Sequence, residues 1–313
     1  MLAAGALISG TGFAQSWPQK TVKFIVPFPA GGAVDIPARM VAEKLSEKWG
    51  QPVIVDNRPG AGGNVGAAEA ARAEGDGYTL FWPSGTVMTA AQYIYPKLNY
   101  NPEKDFVPVT NVVSGPFVLV VNAKAPYRTI ADFIEAAKAN PGKFTFGHAG
   151  IGSQSHLAAE SFVHAAGLQA VSVPYKGDPP ALAGLVAGDI TFTLSNLAPS
   201  LGHITGGRLR ALGITSGSEA QQLPGVPPLS RTLPGFETYG WFGIVAPAGT
   251  PSAVIARVHN DVKAILSDTK VKARLFTMGM TPVANTPEEM GKAMVQERSL
   301  WARVVKERNL QQK

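Results

Sequence analysis

The chain contains no cysteine. That absence excludes disulfide bonds, thiolate-ligated zinc and iron–sulfur clusters, and it leaves the redox compartment undecided. Charge is also sparse: Asp, Glu, Lys and Arg make up 16% of the 313 residues, with a net charge of +6. The lysines and arginines are scattered, and no basic cluster is interleaved with aromatics. The chain therefore lacks the footprint of a nucleic-acid binder. A modest positive field suits the attraction of anionic solutes. No stretch beyond the N-terminal segment approaches the roughly 18 consecutive apolar residues of a membrane span.

Three catalytic or nucleotide motifs are also missing. The glycine-rich run Asn57–Gly66 has no Gly-Lys-Ser/Thr to make a P-loop. Ser153 is flanked by Ile151 and Ser155, so no Gly-x-Ser-x-Gly nucleophile elbow surrounds it. Gly150-Ile151-Gly152-Ser153-Gln154-Ser155 comes near the dinucleotide fingerprint, but Ser155 stands in place of the third glycine. No acidic residue closes the next strand near Val173 either.

What is plentiful is apolar residues (45%), glycine (34) and proline (25). That profile describes compact domains with many tight loops, and the length suits about two of them. The first 16 residues, MLAAGALISGTGFAQS, resemble the end of a secretory signal, with small residues placed for a cut after Ala14 but no basic residue before Lys20. Short apolar strands then alternate with helices, which predicts parallel sheets covered on both faces. Strands are expected at 21–26, 53–55, 78–82 and 117–122, then near 144–147, 170–174, 190–194 and 208–213, and again at 239–245. The run Phe117–Asn122 carries the chain from a first unit into a second. The Pro- and Gly-rich segment Leu223–Gly235 connects back. Thr129 with Asp132, and Thr286-Pro287-Glu288-Glu289, read as capped helix starts. The expected division is 17–116 with 236–313 as one domain and 117–235 as the other.

Two stretches repeat one physical theme. Phe144–Gly167 reads as strand, glycine-rich turn and helix, with Ser153 or Ser155 as N-cap. Thr21–Trp49 reads the same way, through Pro27-Phe28-Pro29-Ala30-Gly31-Gly32. The first N–H groups of a helix lack internal partners, and its dipole is positive there. Each turn is thus suited to an anion. On the second helix His156, Glu160 and His164 share roughly one face. Its end residues are about 12 Å apart, too far for one metal ion to reach both imidazoles. No metal or cofactor is expected, and this row reads as a solvated face with His156 turned to the cleft.

The chain resembles the Bug family of periplasmic solute-binding proteins from tripartite tricarboxylate transporters. The resemblance is carried by Phe28-Pro29-Ala30-Gly31-Gly32 with Asp35 and Ala38-Arg39, by Asn57-Arg58-Pro59-Gly60-Ala61-Gly62-Gly63, and by Asp76-Gly77-Tyr78-Thr79-Leu80. It continues through Gly150–Ser153 with His156-Leu157-Ala158, Val173-Pro174-Tyr175-Lys176-Gly177, Gly188-Asp189-Ile190 and Ala246–Pro251, in family order from about residue 18 onward. It implies an α/β fold of the class II periplasmic-binding-protein type, with two lobes, a cleft between them and two crossing strands. It also implies no catalysis: a small di-, tri- or aromatic carboxylate is captured and delivered to membrane permease subunits by a monomer.

By the same resemblance, the ligand loops are Pro27–Asp35 (Phe28, Ala30, Gly31, Gly32, Asp35) and His148–His156 (His148, Ala149, Gly152, Ser153, Gln154, Ser155, His156). Ser84, Thr86, Tyr175, Lys176, Ser195 and Asn196 match further cleft positions. Relatives often carry a small polar residue where this chain has His148. Asp35 reads as an orienting group for its loop, with Arg39 one turn on. Two other readings share the cleft. One is a sensory binding protein that signals a carboxylate to a membrane kinase. The other is an enzyme on a small acid, for which His148, His156 and Ser153 are the candidate base and nucleophile.

Overall fold

A computed structural model describes residues 17–312. The signal-like segment 1–16 lies outside these residues. The described chain opens with β1 (Val22–Val26), α1 (Asp35–Trp49), β2 (Val53–Asn57), α2 (Asn64–Ala71), β3 (Thr79–Phe81), α3 (Gly85–Thr89), α4 (Ala91–Ile94) and β4 (Phe106–Asn122). It continues with α5 (Ile130–Ala139), β5 (Phe144–His148), α6 (Gln154–Ala165), β6 (Ala170–Pro174), α7 (Asp178–Ala187), β7 (Phe192–Asn196), α8 (Leu197–Thr205) and β8 (Leu209–Ile214). It closes with β9 (Tyr239–Pro247), α9 (Ser252–Ser267), α10 (Thr269–Thr277), β10 (Thr281–Pro282) and α11 (Pro287–Glu307).

In the first lobe β2, β1 and β3 are parallel, and β9 continues the sheet antiparallel to β3. In the second lobe β5 is parallel to both β6 and β7. The all-parallel expectation is corrected at β4, β8, β9 and β10, which all pair antiparallel. The cause is β4. Its first part, Phe106–Pro116, lies along β9, and from Phe117 onward it lies between β7 and β8. One strand therefore serves both lobes and runs against its neighbours in each. Only the stretch from Phe117 was legible, because Pro108, Asn111, Ser114 and Pro116 interrupt the earlier part. The sheet tolerates Pro108 at a register shift, where the ladder is already broken.

Helices follow from apolar spacing and caps. Helix α1 buries Pro37, Ala38, Met40, Val41, Ala42 and Leu45, and Gly50 ends it in the left-handed conformation at φ 65°. Thr129 with Asp132 and Thr286 with Glu289 form reciprocal capping boxes on α5 and α11. The first lobe's core centres on Phe24, Phe81 and Trp82. The second lobe has a core on each face of its sheet, one around Phe133, Phe146, Phe162 and Phe192, the other around Val118, Val120, Leu182 and Leu185.

The lobes touch at several places. A small apolar cluster joins Ala90, Ile94, Leu157 and Val305. Tyr95 donates to the Ile151 carbonyl (2.8 Å), Gln154 to that of Trp241 (2.7 Å), and Arg308 to Ser161 Oγ (3.0 Å). At the crossing, Thr215 exchanges N–H and C=O bonds with Phe117 and Thr238. Its hydroxyl accepts from Phe117 N–H and donates to Thr238 C=O. Both inter-lobe connections thus pass through one buried threonine.

Candidate functional site

The loop between β1 and α1 is held from within. Asp35 accepts from Gly31 N–H (2.9 Å), from Arg39 Nε (2.9 Å) and from Asn57 Nδ2 (2.8 Å), and Asn57 also donates to Phe28 C=O. Both carboxylate oxygens are therefore committed to the loop, the orienting role expected of Asp35. Ala30 and Gly31 lie on the exposed outer side, away from the cavity described below. Gly32 faces the other lobe: a Cβ there would lie 3.8 Å from Asp178 Oδ2 and 3.7 Å from Pro179 Cδ. Among the described residues Val34 N–H has no partner, as the start of a helix dictates.

The loop between β5 and α6 is held by its own side chains. Ser153 Oγ caps α6 by accepting from His156 N–H (3.3 Å). Ser155 Oγ accepts from Ala149 N–H (3.0 Å). His148 Nδ1 accepts from Gly150 N–H and His156 Nδ1 from Gly152 N–H, both at 3.2 Å. His148 Nε2 meets Ser172 Oγ at 2.8 Å, and the two imidazole rings lie 4.3 Å apart. The expectation of a solvated histidine face is corrected for His156, which is buried with its Nε2 3.6 Å from Glu160; only His164 is exposed. Both buried histidines hold loop backbone and stand behind the site. A Cβ on Gly152 would meet Ile94 and Tyr95, so that glycine too supports the loop from outside the cavity. The N–H groups of Gln154 and Ser155 remain without partners among the described residues.

These two loops converge. A cavity of about 10 Å³, room for about one water, is lined by Phe28, Val34, Ser84, Ala149, Ser153, Gln154, Ser155, Asp178, Asn196 and Phe242. The N-terminal ends of α1, α6, α7 and α8 all contribute, at the carboxyl ends of their strands, where open α/β sheets place their ligands. Phe28 and Ala149 also line an outer pocket of about 320 Å³, walled by Pro59–Gly63, Tyr95, Gly150, Ile151, Tyr175 and Lys176. One side-chain polar group of the lining, Ser84 Oγ, is buried with no partner, while the unpaired Thr86 Oγ1 and Gln154 Oε1 lie outside the lining, the latter against Gly240. Buried polar atoms are normally paired, so Ser84 Oγ marks a place built for hydrogen bonding.

Of the residues expected from sequence, Phe28, Ser84, Ala149, Ser153, Gln154, Ser155 and Asn196 line the cavity, while Tyr175 and Lys176 line the outer pocket. Ser195 is buried on β7 with its hydroxyl turned to the Asn196 carbonyl (3.3 Å). Asp178 and Phe242 were missed, and Val34 was covered only by the range Pro27–Asp35. Asp178 had a signal: Val173–Gly177 followed by Asp178-Pro179-Pro180 is a third strand, turn and helix start. Phe242 sits in an ordinary apolar strand and had none.

Two groups in the site titrate far from their usual ranges. Burial pushes the Asp178 carboxyl up to about 6, opposed only by a long bond from Ala33 N–H (3.4 Å). Burial, with the His156 ring beside it, pushes His148 down to about 3, so its imidazole is neutral. With Nδ1 accepting from Gly150, the ring proton sits on Nε2 and donates to Ser172.

A model of the TctC family, the tripartite tricarboxylate transporter family receptor, matches residues 37–310. Protein BugT of Bordetella pertussis is 36% identical over 296 residues, covering 94% of this chain and 91% of that one. A solved structure of a periplasmic transporter superposes with a TM-score of 0.91 at 40% identity, covering 95% of this chain and 99% of that one. Rpa4515 of R. palustris, solved with adipate, superposes with a TM-score of 0.91 at 32% identity, covering 94% and 99%.

Proposed function

Because the chain belongs to the TctC receptor family of tripartite tricarboxylate transporters, we propose that it captures a small carboxylate between its two lobes and hands it to the membrane part of such a transporter. It is a periplasmic receptor and not an enzyme. The observation that carries the reading is the convergence of unpartnered donors from both lobes, Val34 N–H and Ser84 Oγ on one side, Gln154 and Ser155 N–H on the other. A carboxylate between them satisfies both sets at once, and only while the lobes are together. Binding therefore favours closure by the difference in contacts between the two arrangements. Neutral donors suit a carrier, since they hold an anion without a fixed counter-charge.

The lobes are taken as 17–116 with 236–313 and 117–235, hinged where β4 changes partners and at Thr215. The protein acts as a monomer and docks on the permease subunits with its cargo enclosed. The Rpa4515 structure, solved with adipate, supports a small carboxylic acid as cargo. The direct test is a thermal-shift screen over aliphatic and aromatic mono-, di- and tricarboxylates. A binding acid raises stability by about 2.7 kcal/mol at a hundredfold excess over Kd. Gly32→Val, which puts a side chain between α1 and α7, is expected to abolish the shift with the fold intact. Normal binding by that variant places the cargo elsewhere. The acid is recovered unchanged after long incubation.

A further inference from the structure

Three carboxylates among the described residues are buried to nine-tenths or more: Asp35, Asp178 and Asp261. Two of them have cations. Arg39 pairs with Asp35 at 2.9 Å, and Arg257 and Lys48 pair with Asp261. Asp178 forms no ion pair among the described residues; its one bond is the long one from Ala33 N–H. Lys176, nearby in sequence, is exposed, lines the outer pocket and, among the described residues, pairs with no carboxylate. A buried carboxylate without a partner is costly, and proteins retain one where something else supplies the partner.

Asp178 lines the same cavity as the unpartnered donors. Gln154 is not a second acceptor there: its Nε2 is committed to the Trp241 carbonyl, and its unpaired Oε1 lies against Gly240 of β9. The cavity therefore offers N–H and O–H donors together with an anionic acceptor, the Asp178 carboxylate. A plain di- or tricarboxylate supplies acceptors only. Its second carboxylate would meet Asp178 as a like charge in a water-poor space, which specificity built on repulsion rejects.

We propose, resting on the carboxylate-receptor reading above, that the cargo carries a cationic nitrogen as well as a carboxylate, and that Asp178 is the specificity-determining residue that pairs with it. Once the lobes part enough to widen the inner cavity beyond its present room for about one water, the carboxylate lies at the N-terminal ends of α1 and α6, the ammonium lies against Asp178, and the remainder extends past Phe28 and Ala149 toward the outer pocket. The elevated Asp178 carboxyl is consistent with a site that becomes anionic at neutral pH and then needs a cation.

The test is calorimetry on the whole chain at neutral pH with matched pairs: glutamate and glutarate, aspartate and succinate, 4-aminobutyrate and butyrate, 4-(aminomethyl)benzoate and 4-methylbenzoate. In at least one pair the amino member is expected to bind about 100-fold more tightly than its partner. Asp178→Asn is expected to remove about that factor from the amino member. It should leave the deaminated partner as tight or tighter. The inference is overturned if deaminated members bind as well or better throughout, or if Asp178→Asn leaves the amino member unchanged. In that case, deaminated acids that bind the wild type and lose binding in Gly32→Val show that the carboxylate-receptor reading survives alone. No stabilisation by any member of either series overturns both. Should Asp178→Asn not fold, the wild-type pair comparison decides by itself.

Discussion

Asp178 and His148 pull stability in opposite directions with pH. Asp178 rises from the ordinary 3.8 to about 6, so between those values the folded chain holds a proton that the unfolded chain releases. Stability contributed there is present at low pH, falls as pH rises through the window, and is fully lost above it. Asp178→Asn is therefore expected to raise stability near neutral pH by about 1–3 kcal/mol, with the gain vanishing near pH 4. Thermal melts of both proteins across pH, without added acid, check this. His148 falls from the ordinary 6.5 to about 3, so the unfolded chain takes up a proton there that the folded chain refuses. Its contribution is present above 6.5 and lost as pH falls toward 3. His148→Asn, which keeps an acceptor for Gly150 N–H, is expected to flatten the acid limb of the stability curve. An unchanged acid limb would mean that another group sets it.

At the scale of elements, the two crossing connections are tied through Thr215. Its hydroxyl satisfies Phe117 N–H and Thr238 C=O together, each in the strand or segment of a different crossing. Thr215→Val leaves both buried and unpaired, and is expected to cost about 1–3 kcal/mol in urea unfolding. Thr215→Ser should restore most of it. Much at this scale was legible. The helix starts at Thr129 and Thr286 were written as capping boxes, and the β5 turn into α6 at Ser153 as glycines followed by a cap. The first part of β4 was not, because its pairing with β9 is long-range and overrides Pro108, Asn111 and Ser114. The inward turn of Asp178 was equally hidden. An acid in a helix's first turn is usually a solvated cap, and only the packing of α7 against the first lobe buries this one.

At the scale of the molecule, the lobes meet backbone to backbone at the mouth. Gly62, at φ 63°, and Gly150, at φ 114°, come close enough that a Cβ on Gly62 would overlap the Ile151 carbonyl. Gly62→Ala is expected to hold the lobes apart. The measurable signs are a larger radius of gyration by small-angle scattering, weakened acid binding and unchanged circular dichroism. The left-handed backbone adds about 1–2 kcal/mol of strain. An unchanged radius would show that the mouth yields locally instead. The family resemblance gave the two-lobed plan and the two loops that converge on the inner cavity. It could not give which side chains turn inward, since Phe242, Val34 and Asp178 are placed by contacts between segments far apart in sequence.

The meeting of Gly62 with Gly150 and Ile151 separates two things that selection acts on. The hardware of closure at Gly62 and Gly150 has no side chain to lose, whereas taste, on the assignment proposed for Asp178, resides in a neighbour. A duplicated gene can therefore change its nutrient by drift at that neighbour and keep a working clasp throughout. A large clan of paralogues with divergent diets and one shared clasp is what such an arrangement would leave behind in a genome.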